Sequence, residues 1–219
     1  MHEVSTSILN AEKGKEAEVI LGLEKSRTDY IHIDVMDGKF VEKNTYQKML
    51  ELASYTRRIS NIPLDIHLMV EDVETAINVF SAVDANIITF HLEACKDEKQ
   101  VFDFINMIKD NHSRVGIALK PNTDIEKIYE FLPYIHVVLV MTVEPGKGGQ
   151  TLISDMVNKV QTLKKHIDEN NLETQIEVDG GINLATCEKI KEAGADMLVS
   201  GTAILMAKNY KDIIDELKK

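Results

Sequence analysis

The segments Tyr30-Ile31-His32-Ile33-Asp34-Val35, Tyr46–Arg58 and Leu64-Asp65-Ile66-His67-Leu68 decide the fold when read in that order. The first and third are short apolar runs that stop at polar residues and a turn. The middle one has the periodicity of an amphipathic helix. Strand, helix, strand implies two parallel strands joined by a right-handed crossover.

Working outward, the same unit recurs along the whole chain. Further strands are predicted at Val4–Leu9, Ile87–His91, Val115–Leu119, Val137–Met141, Ile176–Asp179 and Met197–Ser200. Helical patterns fall at Ala11–Ser26, Val73–Val83, Glu98–Asn111, Ile125–Leu132, Ile153–Asn170, Leu184–Ala193 and Tyr210–Leu217. Near-continuous apolar strands fit a sheet covered on both faces. The fold class is α/β, and the expected architecture is one (β/α)8 TIM barrel over residues 1–219. An open doubly wound sheet would place a Gly-x-Gly-x-x-Gly turn after its first strand, whereas this chain has Leu9-Asn10-Ala11-Glu12-Lys13 there. No linker interrupts the pattern.

The 219 residues are 44% hydrophobic and 28% charged, an ordinary globular balance. A formal net charge of -11 argues against a general nucleic-acid binder. A small anionic ligand remains compatible with it, because backbone N–H groups can hold a phosphate. Neither a signal peptide nor a membrane-spanning run is read, so a cytoplasmic setting is expected. Cys95 and Cys187 lack the spacing of a disulfide framework or a metal site and read as ordinary thiols.

Barrel active sites lie at the C-terminal ends of the strands. His32 and Asp34 are two apart and share a face, His67 ends the third strand, and Asp179 ends the seventh. Convergence of the four would make an N2O2 set for one divalent ion: Zn²⁺, or Fe²⁺, Mn²⁺ or Co²⁺. The same groups can supply acid/base chemistry beside a carbonyl. A second constellation is glycine-rich: Gly146-Lys147-Gly148-Gly149, Gly180-Gly181 and Gly201-Thr202 follow the last three strands. Loops after strands seven and eight are the usual phosphate site of this fold. Met36, Met69 and Met141 read either as core filler or as an apolar lining above a reacting carbon. Asp37 reads as a turn residue. Asp65 reads as a group orienting a ligand histidine or as a buried hydrogen-bonding partner.

These motifs together resemble the ribulose-phosphate 3-epimerase family. The resemblance spans essentially the whole chain. It is carried by Ser7-Ile8-Leu9, His32-x-Asp34-x-Met36-Asp37-Gly38-x-Phe40-Val41, Asp65-x-His67-x-Met69, Phe90-His91-x-Glu93-Ala94, Met141-x-Val143-x-Pro145-Gly146-x-Gly148-Gly149-Gln150, Glu177-Val178-Asp179-Gly180-Gly181 and Ser200-Gly201. It implies a barrel of the ribulose-phosphate-binding type and a carbohydrate isomerase of the pentose phosphate pathway. His32, Asp34, His67 and Asp179 would be metal ligands. Asp34 and Asp179 would double as the acid/base pair, and Ser7 and His67 would touch substrate. The turns at Gly146–Gly149, Asp179–Gly181 and Gly201-Thr202 would hold sugar and phosphate. The chain departs from the family pattern at Lys147 (usually aromatic) and at Glu42 and Thr6 (usually Pro).

The implied reaction interconverts D-ribulose 5-phosphate and D-xylulose 5-phosphate by two-base proton transfer through a 2,3-enediolate. It uses one divalent ion and no organic cofactor. The expected partners are a small phosphorylated ketose and further copies of the chain, with no nucleic acid or membrane. An epimerase of a ketohexose phosphate, such as D-allulose 6-phosphate, is the nearest alternative. A Schiff-base aldolase would need a strand-end lysine with a depressed pKa, and Lys120 is the candidate. Metal-free decarboxylases on this fold typically carry Lys two residues after the strand-two Asp, where this chain has Met36.

Overall fold

The computed structural model describes residues 2–219. Eight parallel strands close in sequence order: β1 (Glu3–Ser7), β2 (Tyr30–Met36), β3 (Leu64–Met69), β4 (Ile87–His91), β5 (Arg114–Leu119), β6 (Val137–Met141), β7 (Gln175–Asp179) and β8 (Met197–Ser200), with β8 paired back to β1. The fold is the expected TIM barrel. The helices are α1 (Glu16–Lys25), α2 (Tyr46–Ile59), α3 (Val73–Ser81), α4 (Glu98–Asp110), α5 (Met156–Glu169), α6 (Cys187–Glu192), α7 (Thr202–Leu205) and α8 (Tyr210–Lys218). None of the described helices is long and apolar enough to cross a membrane.

Alternation along each strand separates two environments. Ile31, Ile33 and Val35 of β2 join the large apolar cluster between sheet and helices. His32 and Asp34 therefore face the barrel interior. On α2, Met49, Leu52, Ala53 and Thr56 are buried at helical spacing and cover the sheet. Helix starts are marked by Asp72, whose carboxylate accepts the Thr75 N–H, and by Asp97, which accepts that of Gln100.

The interior changes character along its axis. Ile87, Val137 and Met197, with Tyr30 packed on them, form a small apolar group at one end. Ala118, Leu139, Met141 and Val143 form another towards the strand C-termini. Ser5, His32, Asp65, Thr89 and Glu177 are buried polar residues on the strands.

The sequence expectation fails at Ile125–Leu132, where two 3₁₀ turns, Ile125–Ile128 and Leu132–Tyr134, replace an α-helix. Ile125, Ile128 and Phe131 are buried at a three-residue spacing, which suits three residues per turn. Three other helices start late, α6 among them at Cys187 rather than Leu184. Ile153 donates its N–H to the Thr142 carbonyl and so belongs to the loop leaving β6, and α5 begins only at Met156. Gly14, at φ +86°, precedes α1 and removes residues 11–15 from the expected helix. No helical pattern in the sequence marks the short helix α7.

Candidate metal and active site

The pairing registers bring the site together. Asp34 on β2 lies beside His67 on β3, and β7 ends with Asp179 beside Met141 of β6. Asp34 Oδ1 is 3.4 Å from His32 Nε2 and 3.4 Å from His67 Nδ1, and Asp179 Oδ2 is 3.8 Å from the same His67 nitrogen. One ligand atom from each of the four residues falls within 4.8 Å of the others. His32 Nε2 and His67 Nδ1 are buried and have no hydrogen-bond partner. Two such nitrogens facing two carboxylates are the donor set a divalent cation requires, so the residues present fit a metal ion.

The far nitrogen of each ring is engaged. His32 Nδ1 lies 2.6 Å from Asp65 Oδ2, which also accepts the Ser5 hydroxyl at 2.7 Å. His67 Nε2 lies 2.9 Å from His91 Nε2, and His91 Nδ1 lies 3.1 Å from Glu93 Oε2. Asp65 thus contacts a ring of the cluster directly, an arrangement that fits both roles read from the sequence.

The charges are strongly coupled. Burial opposes a proton on His32, but Asp65 and Asp34 outweigh it and raise its pKa well above the ordinary value. Burial also opposes ionisation of Asp34, yet His32 and His67 hold it far below the usual carboxylate range. Asp179 is pushed up to about 6, by burial first and by the Asp34 charge second. Burial and the Asp65 charge raise Glu177 well above normal, which favours a protonated, neutral side chain. Burial brings His91 down to about 4.

A cavity of about 310 Å³ opens above the cluster. Ser7, Asp34 and Asp179 line its floor, and Met36, Met69 and Met141 line it with apolar surface. The methionines therefore face the cavity rather than serving only as filler. Gly146, Lys147, Gly148, Gly149, Gly180, Gly181, Gly201 and Thr202 all border it. Gly180 and Gly181 adopt φ +123° and +69°. A Cβ on Gly181 would lie 2.4 Å from the Leu152 nitrogen, so only glycine admits the β6 loop here. A Cβ on Gly149 would lie 3.9 Å from Thr202 Oγ1, so the loops after β6 and β8 meet.

Two residues singled out from the sequence fall elsewhere. Lys120 points its ammonium at the Phe40 ring, 3.9 Å from the centroid, and is not part of the cavity wall. Asp37 accepts the Lys39 and Phe40 N–H groups through Oδ1 and that of Glu71 through Oδ2, a turn role. The sequence alone assigns no role to Glu177, Glu93 or Asn10. Glu177 is completely buried beneath the cluster, and Asn10 borders the cavity opposite Gly148. The sequence signals for Glu177 are its place in the Glu177-Val178-Asp179-Gly180-Gly181 motif and its spacing of two from Asp179, which puts both on one face.

The profile of the Ribulose-phosphate 3 epimerase family matches residues 3–205. The chain belongs to the ribulose-phosphate 3-epimerase family. It is 38% identical over 219 residues to a ribulose-phosphate 3-epimerase of Methanocaldococcus jannaschii, covering all of this chain and 91% of that one. A Bacillus subtilis relative of the same name is 36% identical over 219 residues, covering 100% of this chain and 99% of that one. An Arabidopsis thaliana chloroplastic ribulose-5-phosphate-3-epimerase is 37% identical over 98% of this chain and 75% of its own length. Among solved structures, KGPDC from Streptococcus mutans superposes with a TM-score of 0.74 at 14% identity, covering 100% of this chain and 96% of that one. That likeness carries the fold alone. Family membership makes this chain an enzyme of carbohydrate epimerisation.

Proposed function

We propose that this member of the family is a metal-dependent 3-epimerase interconverting D-ribulose 5-phosphate and D-xylulose 5-phosphate. The observation that carries the reading is the pair of buried, unpartnered nitrogens, His32 Nε2 and His67 Nδ1, set between the carboxylates of Asp34 and Asp179. Epimerisation removes a weakly acidic proton beside a carbonyl and returns one to the opposite face, through a 2,3-enediolate. A divalent ion held by His32, Asp34, His67 and Asp179 would supply Lewis-acid stabilisation of charge on the C2 and C3 oxygens.

The chain's own groups handle the proton. Asp34 and Asp179 are the two carboxylates of the cluster that line the cavity. One carboxylate can then accept a proton while the other holds one. They come from β2 and β7, which are not neighbours in the barrel, and this suits two faces of one carbon. Ser7 donates to Asp34 Oδ2 at 2.8 Å and fixes that carboxylate's rotation. The three methionines line the space above with groups that exclude water. The glycine loops at 146–149, 180–181 and 201–202 offer backbone N–H groups to a phosphate. Lys147, exposed on the cavity rim, is placed to meet the sugar or phosphate.

The test is a direct assay of the purified protein with D-ribulose 5-phosphate and with D-allulose 6-phosphate, paired with elemental analysis. Turnover should be faster on the pentulose, fall on chelation, and return with Zn²⁺, Fe²⁺, Mn²⁺ or Co²⁺. Full turnover in a sample shown to be metal-free sinks the metal role. A higher kcat/KM on the hexulose phosphate reassigns the substrate.

A further inference from the structure

Glu93 sits in the turn after β4, outside the four-residue cluster, yet it is tied to it. Its Oε1 accepts the Lys120 N–H at 2.8 Å and the Thr123 hydroxyl, and its Oε2 faces His91 Nδ1 at 3.1 Å. His91 is completely buried, and its Nε2 meets His67 Nε2 at 2.9 Å. These contacts determine where the hydrogens sit. A carboxylate accepting from Lys120 and Thr123 also accepts at its other oxygen, so His91 Nδ1 carries a hydrogen. One hydrogen is left to share between the two facing Nε2 atoms. On His91 it would create a buried imidazolium beside Phe40, whose ring also carries the Lys120 ammonium. It would also leave the hydrogen of His67 on Nδ1. On His67, Nε2 donates to His91 and Nδ1 is left to the cluster. Burial disfavours the imidazolium on His91, so the hydrogen lies on His67 Nε2.

We infer that Glu93 and His91 are positioning residues: two successive hydrogen bonds hold a hydrogen on His67 Nε2 and keep its Nδ1 aimed into the cluster. The functional consequence rests on the proposed reading of His67 as a metal ligand. The two imidazoles of the cluster are then oriented by different carboxylates. Asp65 contacts His32 directly, whereas Glu93 acts through a second imidazole. Because Glu93 is pinned to Lys120 and Thr123, the loop after β5 is coupled to a site it does not touch.

The test reads the tautomer and the metal separately. Long-range ¹⁵N–¹H NMR on chelator-treated protein should find a hydrogen on His67 Nε2. Glu93→Gln and His91→Leu should mix the tautomers. Zn²⁺ affinity, measured by competition with a chromophoric chelator, should fall about 10–100-fold in both. His91→Gln, whose amide oxygen can accept from Nε2–H, should recover part of that loss. A wild-type His67 with no hydrogen on Nε2 overturns the inference. So does unchanged Zn²⁺ affinity in variants whose tautomer has shifted. A wild type with the expected tautomer that takes up no Zn²⁺ supports the relay and overturns the metal reading instead.

Discussion

Ser7 donates its hydroxyl to Asp34, with Oγ 2.8 Å from Oδ2. The contact crosses the β1–β2 pair, in which Ser7 is in register with His32. It leaves Asp34 Oδ1 as the oxygen facing both imidazoles. Hydrogen bonds to charged groups contribute about 1.5–3 kcal/mol. Ser7→Ala should lower kcat/KM roughly 10- to 100-fold by freeing the carboxylate to rotate. Steady-state kinetics would check this, and an unchanged kcat/KM would show that Asp34 is held by the histidines alone.

Asp34→Asn and Asp179→Asn should each abolish turnover, since inversion needs a base on both faces. Loss of a ligand also stops turnover, so exchange is the sharper measurement. Metal-loaded variants should still exchange the C3 proton of one epimer with solvent deuterium, and the two variants should favour opposite epimers. Equal exchange of the same epimer by both would replace the two-base assignment with a single base.

Gly181→Ala should destabilise the barrel. A left-handed φ of +69° costs a non-glycine residue about 1–3 kcal/mol. The new Cβ would also meet the Leu152 nitrogen at 2.4 Å and the Gln150 carbonyl oxygen at 2.9 Å. Thermal unfolding should shift down by about 2–4 °C per kcal/mol. The KM for phosphorylated substrate should rise as the 146–152 loop moves away. A variant with wild-type Tm and KM would mean that the loop relaxes freely.

Glu93 carries a pH signature. Burial alone would raise its pKa, but the His91 ring, the Thr123 hydroxyl and the Lys120 N–H outweigh burial and bring it down to about 2. A depressed carboxylate stabilises the fold above its unfolded pKa, and that contribution is lost as pH falls towards 2. Glu93→Gln should therefore be less stable than wild type at pH 6, with the gap closing between about pH 4.5 and 2. Denaturant melts across that range would check it. A gap independent of pH would mean that Glu93 contributes by packing alone.

Much of the barrel is legible in the chain order. The runs at Ile87–His91, Val137–Met141 and Met197–Ser200 match their strands end to end, because continuous apolar segments of that length have little alternative to a covered parallel strand. Ile125–Leu132 is misread because apolar spacing of three or four is shared by 3₁₀ turns and helices. The start of α5 is misread because Ile153 spends its N–H on Thr142, a partner from another element.

The four cluster residues and the glycine turns follow from the sequence alone. Side chains two apart on a strand share a face, and strand ends of a closed barrel share a mouth. Only the tertiary structure decides which nitrogen of each imidazole looks inward. His32 turns Nε2 to the cluster because Asp65, its register partner on β3, takes Nδ1. His67 turns Nδ1 to it because His91, two residues beyond its register partner Thr89 on β4, takes Nε2. A ring's orientation is set by partners on the neighbouring strand, and the stagger of the closed sheet, which no local pattern encodes, chooses those partners.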